Sequence, residues 1–267
     1  MSGVMCAIVV LLILFVDVPI IDTVVVTAIS LIGIYEYNKA FKKAGYHPIS
    51  WIGYLGCFAI FLMGGILNNA DKMVLFRIAM PAVVIMIFMY IILRNLKTSV
   101  MDVMITGFSL MYIPFMFSFV KLILLMPHGR FLIWFVLMGA FASDVFAYVI
   151  GSKFGKRKLC PDISPKKTVE GSIAGIIGVI ISYIILAVVA NNMLAMNLNI
   201  LIIVFAGFIT AIVGQFGDLS ASAIKRFCNI KDFGTIMPGH GGILDRFDSI
   251  LFVAPVVYML LKVYLGF

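Results

Sequence analysis

Charged residues are scarce in this sequence, and their scarcity excludes a soluble domain. Only 12% of the 267 residues are Asp, Glu, Lys or Arg, whereas 63% are hydrophobic. Soluble domains carry about 25% charged residues. Apolar stretches recur along the whole chain, and stretches of about 20 residues are long enough to cross a hydrocarbon core of about 30 Å. The composition therefore indicates a polytopic integral membrane protein.

Three further absences narrow the class of protein. The apolar runs are continuous and lack the alternation of a membrane β-barrel, so the spans are predicted to be helices. No Lys or Arg precedes Lys39, and a secretory signal needs a positive segment, so the apolar stretch 4–16 is predicted to be a retained span. The four cysteines form no CxxC pair, which favours a packing role.

The hydrophobic pattern predicts an all-α bundle of about nine transmembrane helices in a single domain, 1–267. Asp17 and Pro19 interrupt the first long apolar run, so eight or ten spans remain open. The predicted spans are 4–16, 19–37, 50–67, 74–93, 99–120, 130–152, 172–190, 200–222 and 249–266.

The positive charges indicate how this bundle is oriented. The formal net charge is +8, but the basic residues lie between hydrophobic spans and accompany no nucleic-acid motif. Most of them fall in loops that follow even-numbered spans, and cytoplasmic loops carry the excess of Lys and Arg. We therefore expect a multi-pass protein of the plasma membrane whose two charge-rich loops face the cytoplasm. No nucleic-acid partner is expected.

Asp144 is the first residue of a polar group that interrupts the apolar sequence. It lies inside the sixth predicted span, and Tyr148 follows four residues later on the same helical face. An aspartate at the centre of a membrane helix costs about 2.5–3.5 kcal/mol. Two interpretations stay open: a carboxylate bonded to a neighbouring hydroxyl, or a metal or ligand carboxylate in a polar cavity.

A turn with two adjacent lysines follows this span. The turn starts at Ser164, Lys166 and Lys167 present cations, and Thr168 can donate to a phosphate oxygen. Glu170 stands where the next helix begins, a position that favours an acidic cap. The pattern is compatible with binding of a phosphate group.

The second polar group begins inside the eighth predicted span. Asp218, Ser222 and Lys225 recur at i, i+4 and i+7 and form one polar stripe along the helix. Asp245 and Asp248 are three residues apart, so a helical turn places both carboxylates on one face. The remaining polar or glycine residues of this group are Arg226, Lys231, Asp232, His240, Gly241, Gly242 and Arg246.

Together, the two groups predict a site for a polyanion that binds through a divalent metal. Cations alone would bind phosphate, but the aspartates at 144, 218, 245 and 248 would repel it. A metal ion removes this conflict, and Mg²⁺ prefers carboxylates, waters and substrate phosphates as ligands. For His240, a role in loop structure or phosphate binding is favoured over that of a general base.

The spacing of these residues resembles the phosphatidate cytidylyltransferase family, also called CDP-diacylglycerol synthase. The resemblance is strong over 143–249 and only compositional before that, so spans within 1–125 are less constrained and 130–267 forms the catalytic part. The motif reads Ser222-Ala223-Ile224-Lys225-Arg226, four residues, Lys231-Asp232, a spacer, and then Pro238-Gly239-His240-Gly241-Gly242-Ile243-Leu244-Asp245-Arg246-Phe247-Asp248.

The resemblance implies a reaction and a set of site residues. CTP and phosphatidic acid would give CDP-diacylglycerol and pyrophosphate with Mg²⁺, in a site open to the cytoplasm and to membrane lipid. Whether a monovalent cation joins the site, and whether the protein is a homodimer, is left open. The implied metal ligands are Asp144, Asp218, Asp245 and Asp248. The implied catalytic residues are Asp218, Lys225, Arg226, Asp245 and Arg246. The implied substrate-binding residues are Ser164, Lys166, Lys167, Thr168, Ser222, Lys231, His240, Gly241 and Gly242.

Two other functions remain as alternatives. A related CTP-using lipid kinase, or a synthase acting on an ether lipid, would use the same metal site, but the kinase would release CDP instead of pyrophosphate. An ion-coupled transporter would distribute charge through the bundle. In this sequence the charges gather near one predicted face, which disfavours transport.

Overall fold

Seven helices and one small sheet account for most of the residues that the structure describes. The computed structural model describes residues 18–66, 85, 89–90, 92, 99–235 and 241–265. The helices are α1 (Pro19–Lys43), α2 (Ser50–Ile66), α3 (Val100–Leu124), α4 (Gly129–Phe154), α5 (Val169–Leu194), α6 (Ile200–Phe227) and α7 (Leu244–Leu265). The antiparallel strands β1 (Lys158–Cys160) and β2 (Ser164–Thr168) lie between α4 and α5.

Six of these helices are long and apolar enough to cross a membrane, and α2 is a shorter apolar helix. The predicted all-α membrane class is therefore confirmed at this level. Predicted span 4–16 lies outside the described residues, as does most of 74–93. The total of nine helices stays a prediction. The sequence did not predict the β1–β2 hairpin, which forms within one charge-rich loop.

A capping box begins α3, and a π-helical turn interrupts it. The Ser99 hydroxyl accepts from the Met101 amide at 3.2 Å, and the Asp102 carboxylate accepts from the Ser99 amide at 3.2 Å. The π-helical turn Met111–Phe115 contains Pro114, which has no amide hydrogen and cannot continue the normal hydrogen-bond ladder. The wider turn lets the helix continue beyond the proline.

The chain divides into two compact units. The first contains α1, α2, most of α3 and the segment Phe227–Asp245. The second contains Leu122–Arg226, which includes α4, the hairpin, α5 and most of α6, together with Arg246–Phe267.

In the first unit, buried polar groups of α3 bind the connection between α1 and α2. The Asp102 carboxylate accepts from the His47 amide at 2.6 Å, and the Thr106 hydroxyl accepts from the Ile49 amide at 2.8 Å. These backbone groups have no helical partner, so buried side chains satisfy them. The connection is thereby fixed at two points on one turn of α3.

The cysteines are consistent with the packing role predicted for them. Cys57, Cys160 and Cys228 are free thiols, and Cys57 and Cys228 are buried. Burial raises the pKa of the Cys228 thiol, which keeps it protonated and unreactive. Cys6 lies outside the described residues.

In the second unit, α4 and α5 approach closely because glycines line the contact. A Cβ atom on Gly171 would lie 2.7 Å from the Ala147 carbonyl oxygen, and one on Gly175 would lie 2.9 Å from that of Ser143. Small residues allow such backbone contact between membrane helices. The buried Tyr183 hydroxyl of α5 also donates to the Phe135 carbonyl of α4 at 2.8 Å.

We expect Gly171→Ala to lower the free energy of unfolding by about 1–3 kcal/mol, the usual cost of overpacking. The reason is that the new methyl group would meet backbone atoms, which cannot rotate away. Gly107→Ala is the matched control, because a Cβ atom there has no neighbour within 4 Å. Unfolding in mixed detergent micelles, followed by circular dichroism, measures both variants. Equal losses for the two would contradict the close-contact interpretation.

Candidate active site

Two polar contacts fix the β1–β2 hairpin onto the start of α5. The buried Thr168 hydroxyl accepts from the Gly171 amide at 3.2 Å and caps the helix. The Glu170 carboxylate accepts from the amides of Lys156 at 3.1 Å and Arg157 at 3.3 Å, just before β1. Thr168 is therefore the N-cap of α5, whereas Glu170 binds the backbone that leads into β1. A substrate contact by Thr168 stays a prediction.

Lys167 of β2 forms an ion pair with Asp218 of α6. The two side chains are 25% and 24% exposed, so the pair is partly shielded from solvent. The sequence motif placed these residues in separate roles, one on substrate and one on metal. In the structure each is the immediate partner of the other.

Asp218 and Lys167 belong to a larger group of charges within the second unit. Asp144 interacts electrostatically with Asp218, Lys167 and Arg246. Asp248 interacts with Asp218, Lys225 and Asp144. We call this group the charge cluster; its members are Asp144, Lys167, Asp218, Lys225, Arg246 and Asp248. The structure therefore brings together three predicted metal ligands and three predicted phosphate-binding residues.

The carboxylates of the charge cluster differ in their surroundings. Asp248 is 6% exposed and accepts from the Ser249 amide at 2.7 Å, whereas Asp144 is exposed. Like charges that interact repel each other, and opposite charges offset that repulsion. Lys167, Lys225 and Arg246 supply the opposite charges in the cluster.

The donor chemistry of the cluster fits magnesium bound together with substrate. Within the described ranges, no group of three His, Cys, Asp or Glu side chains is arranged to hold a metal ion by itself. Mg²⁺ is commonly held by one or two carboxylates, with waters and substrate phosphates completing its six ligands. Asp218 and Asp248, which lie within electrostatic range of each other, can supply such a pair.

In the first unit, Asp245 organises the glycine-containing loop that precedes α7. Its Oδ2 atom accepts from the Phe233 amide at 2.8 Å and from the Gly242 amide at 2.9 Å. Gly241 has φ +83°, which favours glycine, and a Cβ atom there would lie 3.3 Å from that of Asp232. Asp245 thus has a structural role, and its role as a metal ligand stays a prediction.

The other residues predicted for the site differ in their contacts and in their exposure. The Arg226 guanidinium donates through Nε to the Ile163 carbonyl at 3.2 Å and so contacts the turn of the hairpin. His240 lies outside the described residues. Ser164, Ser222 and Lys225 are half-buried, whereas Lys166, Lys231 and Asp232 are exposed.

Gln215 is an organising residue to which the sequence analysis assigned no role. It accepts a hydrogen bond from the Ser172 hydroxyl, and its Nε2 donates to the Ser172 carbonyl at 3.0 Å and to the Ser143 hydroxyl at 3.4 Å. It therefore joins α4, α5 and α6 beside Asp144 and three residues before Asp218. An amide inside an apolar span was the available signal.

Glu36 of α1 is a second residue that the sequence analysis missed. Its side chain is buried, and its carboxylate accepts from the amides of Ile243 at 3.1 Å and Leu244 at 2.8 Å. The available signal was an acidic residue within an apolar span. Its partners are more than 200 positions away, and no local pattern identifies them.

Comparison with known protein sequences matches this chain to one family. The profile of the Cytidylyltransferase family matches residues 1–264. A phosphatidate cytidylyltransferase of Bacillus subtilis (strain 168) is 38% identical over 197 residues, which are 73% of this chain and 71% of the relative.

Two further relatives carry the same name. That of Thermotoga maritima is 40% identical over 163 residues, 59% of this chain and 58% of the relative. That of Staphylococcus haemolyticus is 39% identical over 174 residues, 64% of each chain. The matched segments thus span less than two thirds of these two relatives.

Lys167→Met should destabilise the protein by about 1–3 kcal/mol, between the values for exposed and for buried ion pairs. Lys158→Met is the control, since Lys158 is exposed on the neighbouring strand. Thermal unfolding in detergent at neutral pH measures both. Equal losses of stability in the two variants would contradict a stabilising role for Lys167.

Proposed function

Because the chain belongs to the cytidylyltransferase family, and is therefore a nucleotidyltransferase, we propose that it transfers the cytidylyl group of CTP to phosphatidic acid. The products are CDP-diacylglycerol and pyrophosphate. The observation that carries this proposal is the charge cluster, in which three carboxylates and three cations from α4, β2, α6 and α7 interact. Such a cluster suits two phosphorylated reactants that repel each other.

The chemistry needs positioning more than it needs a strong base. A phosphate monoester has its second pKa near about 6, so the lipid phosphate is mostly a dianion at neutral pH. One of its oxygens attacks the α-phosphorus of CTP, and the bond to the pyrophosphate leaving group breaks. The enzyme has to hold two polyanions in line and neutralise the charge that develops on the leaving group.

The cations of the cluster are suited to this neutralisation. Lys167, Lys225 and Arg246 would bind phosphate oxygens, and Lys167 can exchange its carboxylate partner for a phosphate because both are anions. Asp218 would then be left to bind a metal cation. Arrival of substrate and binding of metal would thereby support each other.

Magnesium would be held by Asp218 and Asp248, with Asp144 and Asp245 as further candidate ligands, and would supply a Lewis acid for the phosphate oxygens. The donor pair within the charge cluster supports this assignment. Lys225 and Arg246 would orient the phosphates of CTP. With one or two carboxylates as protein ligands, waters and substrate phosphates would complete the coordination of the metal. The protein alone therefore does not need to supply a full set of ligands before substrate binds.

The proposed location is the plasma membrane, with the site on the cytoplasmic side. Six apolar helices support a multi-pass membrane protein, and the bacterial relatives support the plasma membrane. The basic loops predict the orientation. The two substrates also require a boundary position, because CTP is water-soluble and phosphatidic acid is a lipid.

We expect the purified protein to convert CTP and phosphatidic acid to a liponucleotide and pyrophosphate in the presence of Mg²⁺. Chromatography of the lipid and a pyrophosphate assay measure the products. Addition of EDTA should abolish turnover but leave the unfolding midpoint unchanged, because the metal binds with substrate. Release of CDP would instead indicate a kinase, and no CTP-dependent product would refute the proposal.

Asp218→Asn should reduce turnover by at least about 100-fold, a loss typical of removing one electrostatic group from a reaction site. The substitution retains shape and removes the charge that pairs with Lys167. Asp162→Asn is the control, because Asp162 is exposed on the turn of the hairpin and should be dispensable. Both variants are assayed after circular dichroism confirms their folding. Near-normal turnover of Asp218→Asn would exclude the assigned role.

A further inference from the structure

Glu36 is a buried carboxylate of α1 that takes no part in the reaction described above. Glu36 is 1% exposed, although it lies in a helix that is otherwise mostly apolar. Burial of a carboxylate is costly unless hydrogen bonds or opposite charges compensate it. The contacts of Glu36 therefore show how its buried negative charge is compensated.

The compensation comes from the N-terminus of α7. One carboxylate oxygen accepts from the Ile243 amide at 3.1 Å, and the other accepts from the Leu244 amide at 2.8 Å. The first amides of a helix have no partner within the helix, and negative charge is favourable beside them. Glu36 thus caps α7 from a different helix, because the residue that precedes α7 is Ile243, which has no polar side chain.

Two glycines make room for this carboxylate. A Cβ atom on Gly234 would overlap Oε1 of Glu36, and one on Gly242 would lie 2.5 Å from both carboxylate oxygens. Any larger residue at either position would displace the carboxylate from the two amides. The fit of Glu36 therefore depends on residues from two separate parts of the segment before α7.

The same segment carries Asp245. The Gly242 amide donates to Asp245 at 2.9 Å, and the Phe233 amide donates to it at 2.8 Å. Residues 242–245 are consequently held between two carboxylates, one from α1 and one of their own. Loss of the first would free the start of α7 and change the direction of Asp245.

We infer that Glu36 is a positioning residue of the enzyme: by binding the Ile243 and Leu244 amides, it sets where α7 begins and how Asp245 is presented. The inference rests on the proposed function, which makes Asp245 a metal ligand. Glu36 touches no reacting atom in this role. Displacement of a reacting group by about 1 Å costs on the order of 100-fold in rate, so a distant contact can control turnover.

Two variants break the contact in different ways. Glu36→Gln keeps the shape, but its NH₂ group faces a backbone N–H, so one of the two amides loses its acceptor. Gly234→Ala leaves Glu36 intact and pushes its carboxylate aside. The matched controls are Asp102→Asn, which also removes a buried acceptor of backbone amides, and Gly107→Ala, whose methyl group meets no neighbour.

We expect kcat for CTP-dependent liponucleotide synthesis to fall at least about tenfold in Glu36→Gln and Gly234→Ala, with KM for either substrate changed less than about threefold. Asp102→Asn should lose stability but keep its kcat. If Glu36→Gln does not fold, the kcat of Gly234→Ala tests the inference in its place. A kcat loss equal to that of Asp102→Asn, or none, would overturn the inference.

Hydrogen exchange tests the contact without any activity. In Glu36→Gln, deuterium uptake at Ile243 and Leu244, followed by mass spectrometry of the peptide 241–248, should be at least about fivefold faster, as expected for amides that lose a charged acceptor. Asp102→Asn should leave that peptide unchanged. Unaltered exchange in Glu36→Gln would overturn this inference but not the proposed function. Inactive wild-type protein would instead overturn the proposed function.

Discussion

The ion pair between Lys167 and Asp218 is the interaction on which the charge cluster depends. It joins the hairpin between α4 and α5 to α6, so it connects parts of the chain that are about fifty residues apart. The carboxylates of the cluster repel one another, and the cations of the cluster offset that repulsion. The pair gives Asp218 a direct cationic partner and is partly exposed to solvent.

The rest of the second unit holds this pair in place. Glycines at 171 and 175 let α4 and α5 approach until their backbones touch, which fixes Asp144 relative to the hairpin. Gln215 then binds Ser143 and Ser172, so that α6 is aligned with both helices close to Asp218. Apolar packing alone gives helices little preference for one rotation over another, whereas these hydrogen bonds specify it.

Among the described residues, several polar side chains bind backbone groups of loops and helix ends. Asp102 and Thr106 hold the α1–α2 connection, Thr168 caps α5, Asp245 holds the loop before α7, and Glu36 caps α7 itself. The common cause is that loops and helix ends leave amides without partners, and an apolar environment offers no water to satisfy them. Intramembrane carboxylates can therefore mark structural anchors as well as chemistry.

The sequence by itself determined which segments become helices and which residues carry charge. Hydrophobic runs require a helix in lipid, so seven predicted spans appear as helices. The polar residues in the sequence pattern included Asp144, Lys167, Asp218 and Asp248, which the structure places in one charge cluster. These features are local, since a helix is defined by residues three or four positions apart.

Only the tertiary structure decided which side chains contact each other. It paired Lys167 with Asp218 and placed Glu36 on amides 207 and 208 positions away. No spacing rule reaches that far, because such contacts depend on how whole helices pack and on glycines that leave space at one point. The charged residues could be located from the sequence, whereas their contacts depend on the folded protein.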